Sequence, residues 1–235
     1  MQNANTIAEL AIAMPEAIPV LERLGIDYCC NGSRTIQHAC NAAGITPDEL
    51  LQLIPKATTG NATPAWDHAP LPELIRYIID AHHVYTRDAL QRAQALAQKV
   101  RAAHGERHQE LLVVERLVAE LTSDLIPHML KEEQVLFPYI LEPVPMPFFG
   151  TVRNPIRMMM LEHETVGEKL AELRELTMDY TVPDDACTSY KVFFNLLLEL
   201  EADLHQHIHL ENNILFPRAL ELETNERHNA ECHCG

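Results

Sequence analysis

The sequence predicts an all-α chain in two parts, a small helical domain followed by an antiparallel four-helix bundle. Three observations carry this. Gly is scarce, 8 of 235 residues, while apolar residues make up 47%. Few stretches alternate polar with apolar, so strands are not indicated. Beyond residue 70, Leu71, Leu74, Ile75, Ile78, Ala89, Ala93, Leu96 and Val100 recur at helical steps, the stripe of a helix packed on one face.

The elements follow in order. Residues 6–13 and 16–24 read as short amphipathic helices split by Met14-Pro15. Asp27-Tyr28-Cys29-Cys30-Asn31-Gly32 reads as a turn, because Asn-Gly favours left-handed backbone. Residues 35–43 form a third helix. Thr46-Pro47-Asp48-Glu49 is a capping box with Pro at the first helical position, so it starts a fourth. These helices define a small domain over residues 1–54. Residues 55–70, rich in Thr, Ala, Pro and Asn, form a linker in which Trp66 can act as an anchor. The bundle is expected over residues 71–220. Its first hairpin turns near His104-Gly105, and prolines 143, 145 and 147 end its second helix. Asn154-Pro155 opens a third helix to about residue 180, and Val182-Pro183-Asp184 caps a fourth that runs to about Phe216. Short turns joining long helices give antiparallel neighbours. Residues 221–235 read as a polar tail.

Formal net charge is −16, which disfavours nucleic acid and anionic membrane surfaces as partners. No apolar run is long enough to span a bilayer, and the first ten residues lack a basic segment followed by an apolar one. A cytoplasmic location is expected. The six cysteines are therefore read as thiols, metal ligands or redox groups, not as a disulfide scaffold.

Two segments nearly repeat each other. His128-Met129-Leu130-Lys131-Glu132-Glu133-Gln134-Val135-Leu136-Phe137-Pro138 matches in outline His207-Ile208-His209-Leu210-Glu211-Asn212-Asn213-Ile214-Leu215-Phe216-Pro217. Each carries His-x3-Glu, an apolar pair and Phe-Pro. Residues four apart on a helix differ by about 40° around the axis and about 6 Å along it, so each His and its Glu share a face. One such pair alone is ordinarily a solvated ion pair. Two matching pairs on two bundle helices are how a bundle core cages two metals. Level-matching across the hairpins supplies partners: His83 lies about as far from the first turn as His128, and His163 is level with His207. His82 fits the apolar stripe as well as His83. Imidazole with carboxylate suits iron, zinc or manganese. Two bridging carboxylates and two His per ion, with an oxo or hydroxo bridge, leave one coordination position open. Gly167, one turn after His163, is expected to keep that position clear. His205 and His209 are read as surface or supporting groups, Glu133 as solvated, His104 as a helix-end residue, and Pro127 as a kink before His128.

Adjacent Cys29 and Cys30 rarely form an ordinary disulfide, because the backbone must distort. They read as thiols for metal binding, nitric oxide or redox cycling, or as small buried residues. Cys40 and Cys187 read as core. Cys232-His233-Cys234 is a weak soft-metal motif.

The Asp27–Gly32 motif, His82-His83, His128 with Glu132-Glu133, Glu162-His163-Glu164, and His207 with Glu211-Asn212-Asn213 together resemble the Repair of Iron Centers family of iron–sulfur cluster repair proteins. The resemblance covers nearly the whole chain. It implies a small N-terminal domain bearing the cysteine pair and a hemerythrin-like four-helix bundle holding two iron ions. It implies His83 as the first ligand, with His128, Glu132, His163, His207 and Glu211 as the others, and redox or iron transfer at Cys29 and Cys30. Gly167 stands where oxygen-carrying hemerythrins have another His, which argues against simple oxygen storage. The implied function is repair of clusters damaged by nitrosative or oxidative stress, with damaged iron–sulfur proteins as partners and nitric oxide or oxygen as small ligands. A nitric oxide reductase and a diatomic gas or redox sensor are the alternatives; a homodimer is left open.

Overall fold

The computed structural model describes residues 4–55, 66–142 and 150–232, with side chains as far as residue 224. Among the described residues every regular element is helical, and one isolated bridge joins Thr6 to Thr35. No described helix is long and apolar enough to cross a membrane.

The N-terminal unit is built from α1 (Ile7–Ala13), a 3₁₀ turn (Pro15–Ala17), α2 (Ile18–Arg23), α3 (Ile36–Ala42) and α4 (Pro47–Leu53). Capping boxes start α1 at Thr6 with Glu9 and α4 at Thr46 with Glu49, each satisfying backbone N–H groups that a helix end leaves unpaired. Ile7, Leu10, Val20, Leu21, Tyr28 and Leu50 form its core. The turn after α2 differs from the sequence expectation in one respect. Gly32 is required by close packing, not by left-handed backbone: a Cβ there would lie 2.6 Å from Tyr28 O and 2.7 Å from Ala8 Cβ.

The bundle consists of four rods, three of them interrupted by a wide π turn. The first is α5 (Leu71–Tyr77), a π turn (Ile78–His83) and α6 (Val84–His104). The second is α7 (Leu111–Lys131), a π turn (Glu132–Leu136) and α8 (Phe137–Leu141); Pro127 sits inside α7. The third is α9 (Arg153–Leu176). The fourth is α10 (Thr188–Leu210), a π turn (Glu211–Leu215) and α11 (Phe216–Cys232). Ion pairs fix the register: Arg87–Glu133 and Arg101–Glu115 join the first two rods, and Lys131–Glu162 and Lys169–Asp124 join the second and third. In both sets the numbers run in opposite directions, so neighbours are antiparallel.

Several boundaries move. Val152, not Asn154, is the N-cap of α9, and Cys187, not Asp184, is the N-cap of α10. That places Cys187 outside the first turn and exposed, not in the core, whereas Cys40 is buried. The polar segment after residue 220 is helical to Cys232, because no Gly or Pro lies between Pro217 and Cys232 to end it. Trp66 anchors the end of the linker by stacking on Tyr77, ring centroids 4.5 Å apart, and by accepting from Arg218 at its carbonyl. Residues 56–65 of the linker, the proline run at 143–147, and His233 and Cys234 lie outside the described residues, as does the side chain of Cys232.

The bundle core is split in two. One apolar cluster contains Leu90, Leu117, Leu121, Phe193 and Phe194; the other contains Leu74, Phe137, Ile156, Leu215 and Phe216. A polar layer lies between them.

Candidate metal centre

Six side chains meet in that layer: His83, His128, Glu132, His163, His207 and Glu211, none more than 2% exposed. They form two groups sharing both carboxylates, His83–Glu132–His207–Glu211 and His128–Glu132–His163–Glu211. His82 is absent from both; it pairs with Asp203 at 2.9 Å and stacks on His207.

The atoms aim inward. His83 Nε2 lies 3.1 Å from His207 Nε2, and His163 Nε2 lies 3.0 Å from His128 Nε2. Metal–nitrogen bonds of about 2.1 Å set at right angles leave two nitrogens about 3 Å apart. Glu132 turns Oε2 to His83, 3.5 Å, and Oε1 to His128, 3.4 Å. Glu211 turns Oε1 to His207, 3.0 Å, and Oε2 to His163, 3.2 Å. Despite these approaches, none of the four carboxylate oxygens makes a well-aligned hydrogen bond among the described residues. An ion buried without compensation costs several kcal/mol, more than the roughly 1.5–3 kcal/mol gained by burying a Leu in the same place. The donor set therefore fits cations.

Charge and burial oppose each other here. Burial disfavours the imidazolium of His128, yet the Glu132 carboxylate beside it holds its pKa up to about 10. Burial likewise raises Glu211, but neighbouring His207 pulls it well below the usual carboxylate range.

The local backbone explains how these side chains are aimed. Pro138 and Pro217 cannot donate to the carbonyls of Gln134 and Asn213 four residues back, and their rings crowd them. The wide turns absorb this: Phe137 N–H reaches Glu132 O and Phe216 N–H reaches Glu211 O, each five residues back. Each turn re-aims the Phe that follows, so Phe137 stacks on His83 and Phe216 on His163. The π turn ending at His83 has no proline behind it.

Supporting groups hold the far side of three rings. His83 Nδ1 faces Glu133 at 2.7 Å, His128 Nδ1 faces Glu162 at 2.7 Å, and His163 Nδ1 faces Asn212 at 2.8 Å. Glu133 is thus a partner of His83 and Arg87 rather than a solvated residue. Level-matching across the hairpin extends to Glu133, but a regular helical wheel has no wide turn at Glu132 and points it outward. Glu162 and Asn212 carry no signal of their own within one helix.

Cys29 and Cys30 are thiols with sulfurs 3.8 Å apart, docked against the bundle. Cys30 Sγ lies 3.6 Å from His163 O and fills the space beside Gly167, at 3.6 Å from where a Cβ would stand. The space beside Gly167, where the sequence suggested an open coordination position, is thus bordered by Cys30, which a Cβ there would meet at ordinary van der Waals distance. The hydrogen bond that Cys29 donates to Cys30, together with burial, pushes Cys29 well above the usual thiol range. Both thiols line a cleft of about 550 Å³ shared with Glu164, Gly167, Arg174 and Glu201. Asp27 also neighbours them, but its carboxylate closes the loop by accepting from Cys29 N, Cys30 N and Asn31. His209 is buried and faces Tyr28 O; His205 pairs with Glu22; His104 is buried at the far end of the bundle, beside Tyr190.

A helical bundle with such a layer of imidazoles and carboxylates defines a hemerythrin-type cation-binding domain, and the chain belongs to that family: the Hemerythrin HHE cation binding domain matches residues 74–219. A second match, to a domain of unknown function (DUF542), covers residues 3–58. Among curated relatives, the iron-sulfur cluster repair proteins YtfE of Yersinia pseudotuberculosis serotype IB (strain PB1/+) and Yersinia pestis (strain Pestoides F) are each 36% identical over 219 residues, covering 92% of this chain and 96% of the relative.

Proposed function

We propose that the chain holds two iron ions and uses them to repair iron–sulfur clusters damaged by nitrosative or oxidative stress, by supplying iron. One ion would take His83 and His207, the other His128 and His163, with Glu132 and Glu211 bridging. The observation that carries this reading is the pair of four-donor groups sharing two carboxylates whose oxygens lack aligned hydrogen bonds. Iron bound there would supply redox-active, exchangeable metal. Four protein donors per ion leave positions for small ligands or exchange. The match to curated repair proteins over nearly the full length of both chains supports the same role, with damaged iron–sulfur proteins as clients. Cys29 and Cys30, beside the His163 ligand, are the groups proposed for redox work or for receiving iron.

The test is repair itself. An iron–sulfur enzyme inactivated by nitric oxide is incubated with the iron-loaded chain. Wild type should restore its activity faster than the same amount of free ferrous iron, and the Glu132→Leu/Glu211→Leu variant should not. Equal repair by the double variant would overturn the assignment.

A further inference from the structure

The cysteine loop and the polar layer meet at one residue. Asn212 is buried between them, and its amide faces both ways. Nδ2 donates to Cys29 O at 3.2 Å, and Oδ1 faces His163 Nδ1 at 2.8 Å. A backbone carbonyl only accepts, so the amide nitrogen must face Cys29. That leaves Oδ1 toward His163, and Oδ1 only accepts. His163 must therefore carry its proton on Nδ1, with the Nε2 lone pair turned toward His128 and Glu211.

The other ligand rings are held differently. His83 and His128 are backed by carboxylates from within the bundle, Glu133 and Glu162. His163 is backed by a neutral amide whose other hand grips the N-terminal domain. Asn213 donates to Tyr28 O and Cys29 O, at 3.2 and 3.3 Å, but no hydrogen bond joins it to His163 among the described residues. The two neighbouring asparagines thus separate two tasks: both hold the loop, and one also sets a ligand.

We infer that Asn212 is a positioning residue that couples the seating of the Cys29-Cys30 loop to the His163 ligand. A seated loop fixes the tautomer that His163 needs to bind metal. Metal on Nε2 locks that tautomer in turn and holds the loop closed over Cys29, which is 4% exposed when docked. Coupling of this kind is reciprocal by thermodynamic necessity. Loss of metal from the His163 position then frees the loop and exposes Cys29. The inference rests on the proposed role of His163 as a ligand.

The experiment uses the full chain, prepared metal-free and with two equivalents of ferrous iron under anaerobic conditions. Bound iron is measured, and the alkylation rate of Cys29 by iodoacetamide is followed by peptide mass spectrometry. In wild type, iron should slow Cys29 alkylation about tenfold, within the usual range of such couplings. Asn212→Asp keeps an acceptor for His163 but cannot donate to Cys29 O; it should bind iron and show no iron-dependent protection. Asn213→Ala should speed alkylation in both states yet keep the protection ratio, which a purely structural role for Asn212 does not predict. Wild type that binds iron without protecting Cys29, or Asn212→Asp that protects as well as wild type, overturns the coupling alone. Wild type that binds no iron overturns the coupling and the metal centre together.

Discussion

Glu133 shows what a single residue can hide. Its place in the sequence, next to Glu132 on a helix, points it away from the site. In the structure it holds His83 Nδ1 and is itself held by Arg87. By contrast, His128, Glu132, His207 and Glu211 are legible one by one, because His-x3-Glu fixes a shared face wherever the helix is regular, and His163 follows by level with His207. What spacing alone leaves open is the choice between His82 and His83: both rings are buried, and only the second turns into the polar layer. Groups that orient a metal-binding imidazole usually change affinity by about 10–100-fold when removed. Glu133→Gln should therefore weaken iron binding by about tenfold in competition with a chelator, while helix content by circular dichroism stays unchanged. Unaltered affinity would show that Glu133 serves only its pairing with Arg87.

At the scale of elements, helix existence and order were readable from apolar steps and proline punctuation. The capping box at Thr46 and the turn at His104-Gly105 stand where the sequence puts them. The π turns were not readable, because one added residue per turn leaves composition and local pattern unchanged. Phe-Pro behind two of them is the nearest trace. The ends of α9 and α10 shifted because Asn154 and Asp184 have good capping chemistry but lie off the observed cap positions.

The far end of the bundle offers a pH test. His108, in the turn before α7, contacts Asp185 at 2.9 Å and Glu110 at 3.1 Å. The hydrogen bond with Asp185 raises His108, and the same bond lowers Asp185. A raised histidine stabilises the fold below its unfolded pKa of about 6.5, and that contribution is lost as pH rises through the folded value. A lowered aspartate contributes above about 3.9 and loses its contribution as pH falls. The clasp is therefore strongest in mildly acid solution. Asp185 is exposed and His108 only partly buried, so solvent screening keeps the effect small. Melting curves of wild type and His108→Gln should differ by about 1 °C at pH 5.5 and coincide at pH 9. A constant difference across that range would contradict the assignment.

Across the whole molecule, the two units are joined by contacts spanning more than a hundred residues of sequence. Cys30 reaches His163, His205 pairs with Glu22, and Asn212 and Asn213 grip the cysteine loop. No local pattern encodes such contacts, so the sequence alone placed the cysteine pair in its own domain without showing where it docks. The docking gives Gly32 its reason: it lets the loop lie against α1 and Asn213. It also sets the Cys30 thiol against the backbone of the helix that carries His163, which is the arrangement a protein would need if metal content and thiol exposure are to answer to each other.

A two-metal layer requires the six buried side chains to act together. Metal analysis of the freshly purified full chain, beside the Glu132→Leu/Glu211→Leu variant, tests it most directly. Wild type should carry two irons per chain and the variant none, with both equally helical. A wild type that binds no metal, or a variant that keeps both irons, would contradict it.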